Sequence, residues 1–331
     1  MKTILKILKW AAIILAILIV GFYIFVQSTW DKKWDAPYPE ISASKDSAVI
    51  ARGKYLAYGP AHCSTCHVPM DKIMAVENGE ILPLSGGWEL SIPPGTFIAP
   101  NLTSDMETGI GRLSDKEIAR TLRHSVGSDG RCILPFMPFQ ELSDEDLTAL
   151  VSFLRSQEPV KHELKKTELS FLGRAVMAVG MIKPEGPKNP VPKSVSIDTT
   201  AEYGSYLAHS VANCIGCHTK RDMKTGALIG TPFAGGMQFE PESLSDGFGF
   251  VSPNLTPDPT TGIMTTWDEQ TFISRFKANR VYKGSPMPWG AFSRINDLEV
   301  KAIYKFLKTL KPVPSAIGKI VYEPGEQLPK E

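Results

Sequence analysis

The sequence predicts a mainly α-helical protein in which two copies of one helical domain follow an N-terminal transmembrane helix. Three observations lead to this fold class. The chain begins with a long apolar segment, the rest repeats itself at a nearly constant offset, and helix-start signals recur at corresponding positions of the two copies. No alternation of apolar and polar residues is long enough to indicate an extended strand.

The N-terminal segment has the length and flanking charge of a membrane anchor. Three lysines among the first nine residues precede a charge-free run from Trp10 to Val26, and the apolar helix covers residues 4–26. At 1.5 Å per residue this helix measures about 34 Å, against about 30 Å for a bilayer core. A cleaved signal peptide would have a shorter apolar region, and only Val26-Gln27-Ser28 resembles a cleavage site. We therefore expect residues 1–28 to remain as a single-pass anchor.

Membrane lipid is the expected partner of this helix, and the lysines orient it. Because basic flanks stay in the cytoplasm, the rest of the chain is expected on the periplasmic, outer side of a bacterial inner membrane. The net charge is only +1, and the charged residues form no basic block. Nucleic acid is therefore not an expected partner.

Changes in composition divide the exported part into two domains joined by a proline-rich linker. Within that linker, residues 164–182 are expected to form one helix lying against both domains. The predicted segments are a tether (29–45), domain 1 (46–157), the interdomain linker (158–199), domain 2 (200–312) and a C-terminal tail (313–331).

The two domains share a set of motifs in the same order. The offset between corresponding residues stays between 149 and 153 positions. Since chance does not keep so many matches in register, the domain is duplicated. The matching pairs are RGKYLA (52–57) with YGSYLA (203–208), CSTCH (63–67) with CIGCH (214–218), Gly86-Gly87 with Gly235-Gly236, PNLTSDMETGI (100–110) with PNLTPDPTTGI (253–263), and PFMPF (135–139) with SPMPW (285–289).

Helix signals also recur at matching places. The last helix of each domain carries an apolar stripe that we expect to face the core. Gly53 and Gly204 in the first helices would permit a close helix crossing. The predicted helix starts are the capping boxes Ser114 with Glu117 and Thr266 with Glu269, and the N-caps Ser143 and Asn296.

A Cys-x-x-Cys-His motif occurs once in each domain and predicts covalently attached haem c. The two thiols add to the vinyl groups of the porphyrin, and the adjacent imidazole then meets the iron as its fifth ligand. A zinc ribbon would place two CxxC pairs about 15–20 residues apart, and a thioredoxin-like site requires a βαβ pattern. The sequence therefore predicts two covalently bound haem c groups, with Cys63, Cys66 and His67 at the first and Cys214, Cys217 and His218 at the second.

A methionine at the same place in both domains is the predicted sixth ligand. Met137 lies 70 residues after His67, and Met287 lies 69 residues after His218. Each methionine precedes a proline and an aromatic residue, which would hold the segment extended. An isolated methionine usually packs in a core, but the correspondence between repeats favours ligation of iron.

Both repeats resemble the class I cytochrome c domain, so the expected fold is two tandem class I cytochrome c-like domains. In that family a Pro-Asn-Leu segment follows the attachment motif, and its proline carbonyl bonds the ligand imidazole. The resemblance assigns this role to Pro100 and Pro253, and such a bond raises the donor strength of the imidazole. The stretch from Gly-Gly to PNLTxDxxTGI resembles the multihaem cytochrome c subunits of membrane-bound alcohol and gluconate dehydrogenases. Those typically carry three haem domains, whereas this chain carries two.

The remaining histidines and the odd cysteine are weaker candidates. His124 is the rival sixth ligand of the first haem, whereas His62 and His209 are expected to be packed or partly exposed histidines. Cys132 has no partner for a structural disulfide once four thiols bind haem. It is either a half-buried free thiol or a thiolate ligand or reactive thiol near the first haem.

These features favour an electron carrier, because saturated His/Met ligation leaves no open iron position. The expected donor is a quinol-oxidising complex or a periplasmic dehydrogenase, and the expected acceptor is a terminal oxidase or another cytochrome. One alternative is a dihaem redox enzyme of the thiosulfate dehydrogenase or peroxidase type, with Cys132 near the first haem. Another is a non-catalytic subunit of a larger complex, in which the apolar helix also serves assembly.

Overall fold

The computed structural model of the protein describes residues 2–134, 136–222, 226–241, 245–282, 284–315 and 317–329. Some predicted features lie outside these residues, namely Met1 of the anchor, Pro135 of the first PFMPF motif, and residues 316, 330 and 331 of the tail. Within the described ranges the protein is mainly helical, as predicted.

The α-helices of the described residues are α1 Lys2–Thr29, α2 Ser47–Tyr58, α3 Ile73–Glu77, α4 Asp115–His124, α5 Asp144–Ser156, α6 Phe171–Ala178, α7 Ala201–Tyr206, α8 Cys214–Cys217, α9 Ile263–Thr266, α10 Glu269–Lys277, α11 Trp289–Phe292 and α12 Asp297–Thr309. The strands in the same ranges are β1 Glu89–Ile92, β2 Gly95–Ile98, β3 Glu168–Leu169, β4 Gln238–Phe239, β5 Gly249–Val251 and β6 Val321–Tyr322. They form two antiparallel three-stranded sheets, ordered β1-β2-β3 and β4-β5-β6.

Helix α1 has 28 residues and is the one helix in the described ranges that is long and apolar enough to cross a membrane. A signal sequence near the N-terminus can also meet these criteria of length and composition. Val26 is the one buried residue of α1, and α6 packs against this helix. The predicted apolar segment is therefore confirmed as a helix.

Three of the four predicted helix starts are confirmed. Glu117 also completes its capping box by accepting a hydrogen bond from the backbone at the start of α4. The prediction for Thr266 is wrong, because Thr266 ends the short helix α9 and the Asp268 carboxylate caps α10. The confirmed N-caps, each accepting from the third amide of its helix, are Ser114 in α4, Ser143 in α5 and Asn296 in α12.

In each repeat the first helix crosses the last helix at a glycine. A Cβ atom on Gly53 would lie 1.8 Å from the carbonyl oxygen of Ala149 in α5. A Cβ atom on Gly204 would lie 1.9 Å from the carbonyl oxygen of Ala302 in α12. Only glycine therefore allows α2 and α7 to touch the backbone of their partner helices. The predicted stripes are buried at Leu147, Leu150, Val151, Leu154, Val300, Ile303 and Leu307, whereas Leu310 is half-buried.

The linker forms a strand and a short helix in place of the single helix expected over residues 164–182. Strand β3 pairs with β2, and α6 begins only at Phe171. The Ser170 hydroxyl accepts from the Gly173 amide at 3.1 Å and so caps α6 after an extended segment. In the C-terminal tail, β6 similarly pairs with β5. Each small sheet thus ties a predicted linker or tail to a repeat.

Residues 31–45, which we call the strap, are bound along the first repeat. The Trp34 amide donates to the carbonyl of Gly130 at 2.8 Å. Further along, the Ser44 amide donates to the hydroxyl of Ser152 in α5 at 2.8 Å. The predicted tether therefore holds the first repeat close to the end of α1.

The two repeats meet in a polar cluster whose two carboxylates, Asp146 and Glu299, are buried. Arg52 of α2 pairs with Asp146 of α5 at 2.9 Å and with Glu299 of α12 at 2.9 Å. Tyr55 of the first repeat donates to Glu299. Tyr206 of the second repeat donates to Asp146 at 2.8 Å. We call these five residues the inter-repeat network, because each repeat's tyrosine reaches the last helix of the other repeat.

Candidate haem sites

Each Cys-x-x-Cys-His motif forms one helical turn after a residue in the left-handed region. The preceding residues, His62 and Asn213, have φ values of 40° and 50°. The motif histidine then donates its amide hydrogen to the first cysteine carbonyl, at 2.9 Å for His67 and 2.8 Å for His218. On such a turn the first, fourth and fifth residues share a face. The two thiols and the imidazole of each motif therefore project together.

Both motif histidines are held by a proline carbonyl. The Nδ1–H of His67 donates to the Pro100 carbonyl at 2.9 Å, and that of His218 donates to the Pro253 carbonyl at 3.1 Å. Because Nδ1 carries the proton, the Nε2 lone pair is left for a metal. Burial lowers the pKa of both histidines, which favours the neutral imidazole that ligates iron.

A glycine joins each motif to its proline segment. The Gly86 amide donates to the His67 carbonyl at 3.0 Å. In the second repeat the Gly235 amide donates to the His218 carbonyl at 2.8 Å. Both glycines have φ of 73°, and a Cβ atom on Gly86 would lie 2.5 Å from the carbonyl carbon of Pro100. Glycine is therefore required for the proline carbonyl to reach the imidazole.

The PNLT segment is fastened in the same way in both repeats. The Asn101 side-chain amide donates to the Val160 carbonyl at 2.8 Å and to the Thr108 hydroxyl at 3.1 Å. The Asn254 amide donates to the Val313 carbonyl at 2.8 Å. We call this contact the Asn–Val clasp. Its sequence signal is a Pro-Val pair that recurs in register at 159–160 and 312–313, with each valine just beyond the predicted domain boundary.

The predicted methionine ligands lie in matching turns before the last helices. The Met137 carbonyl accepts from the Phe139 amide at 3.0 Å, and the Met287 carbonyl accepts from the Trp289 amide at 2.8 Å. Both methionine side chains are half-buried and pack against the apolar core that also contacts Cys63 and Cys214. The two loops thus share this backbone hydrogen bond and degree of burial, while ligation by their thioethers stays a prediction.

The donor set of each motif suits covalent attachment of haem c. Burial raises the pKa of the Cys63 and Cys214 thiols to about 12, so these thiols are neutral. Within the described ranges no three His, Cys, Asp or Glu side chains converge on a metal-binding point. Two thiols beside one free imidazole nitrogen match the requirements of a c-type haem.

The weaker candidates have local contacts of their own. The His62 ring packs edge-on against Phe292, with centroids 5.5 Å apart. The Nδ1 atom of His209 lies 2.8 Å from the backbone carbonyl oxygen of Ser205. His124 is half-buried at the end of α4. The Cys132 thiol donates to the Ile133 carbonyl at 3.4 Å, and burial raises its pKa to about 11.

Three curated proteins show what the chain resembles. It is 30% identical over 299 residues to the cytochrome c subunit of a quinone-type alcohol dehydrogenase from Gluconacetobacter polyoxogenes, covering 85% of this chain and 60% of the relative. It is 27% identical over 288 residues to the gluconate 2-dehydrogenase cytochrome c subunit of Pantoea cypripedii, covering 80% and 60%. A dihaem c-type cytochrome of Cereibacter sphaeroides is 27% identical over 215 residues, covering 59% and 70%.

No protein-family profile matches the chain. The chain spans about 60% of the length of the two dehydrogenase subunits that it matches. The resemblance that the repeated PNLT stretch indicated is confirmed by these comparisons. The chain is a homologue of the cytochrome c subunits of alcohol and gluconate dehydrogenases.

Proposed function

We propose that the protein is a membrane-anchored dihaem c-type cytochrome that carries electrons and has no substrate of its own. The observation that supports this most is the recurrence in both repeats of one arrangement, a CxxCH turn whose imidazole donates to a Pro-Asn-Leu carbonyl. The proposed domains are tandem class I cytochrome c domains over residues 46–157 and 200–312. The residues that would hold the two haems are Cys63, Cys66, His67 and Met137 in the first, and Cys214, Cys217, His218 and Met287 in the second.

The protein residues would set the potential of the bound groups. When bound, haem c supplies a one-electron couple between ferrous and ferric iron. The carbonyls of Pro100 and Pro253 orient the imidazoles and raise their donor strength. The thioethers of Met137 and Met287, as neutral ligands, would favour the ferrous state and raise the potential. A filled coordination sphere would exclude small ligands and leave electron transfer as the reaction.

The proposed location is the outer face of a bacterial inner membrane, with residues 1–28 retained as the anchor. The length of α1 and the lysines at its start support this orientation. The names of the relatives support a dehydrogenase as electron donor; a quinol-oxidising complex is the other donor that we propose. The proposed acceptor is a terminal oxidase or another cytochrome.

The enzymatic alternative depends on Cys132 acting as a thiolate beside the first haem. Burial raises the pKa of this thiol to about 11, and the thiol donates a hydrogen bond to a backbone carbonyl. Both features favour the protonated, unreactive form. They support the carrier over a thiosulfate dehydrogenase that uses a thiolate ligand.

Counting the haems tests the attachment sites. Denatured protein should retain two haems per chain in a pyridine haemochrome assay, because thioether bonds survive unfolding. The double variant Cys63→Ala/Cys66→Ala should retain one. Cys132→Ser, which leaves both motifs intact, is the matched control and should retain two. One haem or none in the native protein would contradict the proposal.

Methionine variants test the axial ligands and with them the carrier function. Met137→Ala should lower the potential of one haem and open it to carbon monoxide, and Met287→Ala should do the same to the other. Met106, which is 58% exposed and has no counterpart in the second repeat, is the control position. If the native protein binds carbon monoxide readily, or Cys132→Ser changes the spectrum of the first haem, the protein is better explained as a dihaem redox enzyme.

Removing residues 1–28 tests the anchor. With a cleavable signal in their place, the remaining chain should be exported as a haem protein extracted without detergent. The native protein should require detergent and keep its N-terminal lysines. A mature N-terminus at Thr29 would show that the segment is a signal sequence.

A further inference from the structure

Helix α6, between the two repeats, exposes large apolar side chains. The exposed fractions are 45% for Phe171, 52% for Leu172, 51% for Val179 just after the helix, and 53% for Met181. A cluster of this kind on a water-facing surface marks an interaction site. The question is what covers it.

The position of α6 beside α1 answers this question. The Phe171 ring stacks on Tyr23 of α1, with centroids 5.8 Å apart. One turn further, Arg174 donates to the Gln27 side chain at 3.2 Å, and its guanidinium lies 5.2 Å from the ring of Trp30. An arginine beside a tryptophan is typical of the interface between lipid and water.

The depth of this contact follows from helix geometry. An apolar groove of about 590 Å³ lies between the helices, lined by Leu18, Ile19, Phe22, Tyr23 and Phe171. Leu18 lies about 12 Å along the helix axis from Val26, where the charge-free run of α1 ends. A bilayer that covers α1 as far as Val26 therefore also covers Phe171.

We propose that α6 is a second membrane contact, which inserts Phe171 and Leu172 among the acyl chains of the outer leaflet and seats one acyl chain in the groove. This inference rests on the proposed anchor, because the depth is measured along α1. The bound strap and the α1–α6 contact would then keep the first repeat against the bilayer. A flexible tether would instead let the first repeat move away from the membrane surface while it stays anchored.

Spin-label accessibility in the full-length holoprotein tests this contact. In a Cys132→Ser background, Leu172→Cys carries a nitroxide, and the protein is reconstituted in phosphatidylcholine–phosphatidylglycerol vesicles. Ile17→Cys in α1 is the lipid-exposed reference, and Lys166→Cys in the linker is the water-exposed reference. Apolar oxygen and a water-soluble nickel chelate serve as relaxing agents.

The label at position 172 should resemble that at position 17, with high oxygen and low nickel accessibility. If it resembles the label at position 166 while position 17 is lipid-exposed, α6 does not enter the bilayer and the anchor stands. Shielding from both agents would mean that protein covers α6, which also overturns the inference. If position 17 itself is open to nickel, the proposed anchor fails.

A separate observation concerns Glu77, the last residue of α3 in the first repeat. Its side chain is 7% exposed, and its carboxylate accepts from Arg280 at 2.7 Å and from the Gly290 amide at 3.1 Å. Both partners belong to the second repeat. A Cβ atom on Gly290 would lie 2.5 Å from the Glu77 Cα atom, so the two segments are in backbone contact.

The partners of Glu77 lie on both sides of the Met287 turn. Arg280 also donates to the carbonyl of Ser285, two residues before Met287. Gly290 follows directly after the turn. In the first repeat, the carbonyl of Met137 instead accepts from Gln140 of its own loop at 3.2 Å.

We infer that Glu77 is a positioning residue that holds Met287 in place for the second haem. The inference rests on the proposed ligation by Met287. By this inference, the coordination of the second haem depends on a residue of the first repeat. The Met137 carbonyl, in contrast, accepts from Gln140 of its own repeat.

Redox titration and the Met–ferric charge-transfer band of the holoprotein test this role. Glu77→Ala should lower the potential of one haem and remove about half of the band, as one of two thioether ligands is lost. Glu77→Gln, which can still accept from Gly290, should have a smaller effect, and the exposed Glu80→Ala should have none. Unchanged potentials in Glu77→Ala would overturn the inference, whatever its stability. If Met287→Ala itself changes neither haem, the ligand assignment fails instead.

Discussion

Replacing Glu299 by alanine should destabilise both repeats at once. The Glu299 side chain is fully buried, and its carboxylate accepts from Arg52 at 2.9 Å and from Tyr203 at 2.6 Å. It also accepts from Tyr55. Alanine would leave these three donors without that acceptor. Two of the donors, Arg52 and Tyr55, belong to the first repeat, whereas Glu299 belongs to the second. The change therefore removes the centre of the inter-repeat network.

The size of the effect follows from the contacts that remain. Removing one partner of a buried ion pair typically costs about 3–5 kcal/mol. Arg52 keeps its contact with Asp146 at 2.9 Å, so its charge is not left alone. We therefore expect a loss at the low end of that range, about 3 kcal/mol in the free energy of unfolding.

Urea unfolding of the holoprotein, followed by circular dichroism, measures this loss. The matched control is Asp297→Ala in the first turn of the same helix, whose side chain is 70% exposed and pairs with Lys277. An exposed pair of this kind is worth less than about 1 kcal/mol. The reasoning is refuted if Glu299→Ala destabilises the protein no more than Asp297→Ala does.

Three further changes test other parts of the structure. Gly86→Ala should destabilise the protein by about 2 kcal/mol more than Gly79→Ala in urea unfolding, because both glycines have positive φ but only Gly86 faces backbone within 3 Å. The hydroxyls of Thr261 and Thr260 hold the pKa of Asp258 below its usual range. The stability that this confers is present at neutral pH and lost on acidification. In Asp258→Asn the free energy of unfolding should therefore fall less steeply as the pH is lowered. Cys132→Ser should leave the visible spectrum unchanged, and an altered first haem would contradict the carrier reading.

Repeated local signals made much of the fold predictable from the sequence. An N-cap serine and a CxxCH turn each act within a few residues, and their recurrence in register removes chance matches. The matching placement of Met137 and Met287 was predictable for the same reason. The Pro100 and Pro253 contacts came instead from the family resemblance.

The features that could not be predicted depend on tertiary contacts. Residues 164–182 have helical composition, but β2 offers an open edge that draws Glu168 and Leu169 into a strand. Thr266 fits a capping box, yet Asp268 is closer to the helix and takes the role. The pairings made by Glu77 and by the inter-repeat network could not be predicted, because each joins residues far apart in the chain.

The Asn–Val clasp sets the length of any fragment that is expected to fold alone. A first repeat that ends at residue 157, where the composition changes, would lack Val160 and leave the side-chain amide of the buried Asn101 without its carbonyl partner. Including β3 would extend the fragment to Leu169. The clasp valines, at 160 and 313, have the same offset as the prolines at 100 and 253. The clasp thus lies beyond the last helix at the same position in both repeats, and a fragment of either repeat must include it.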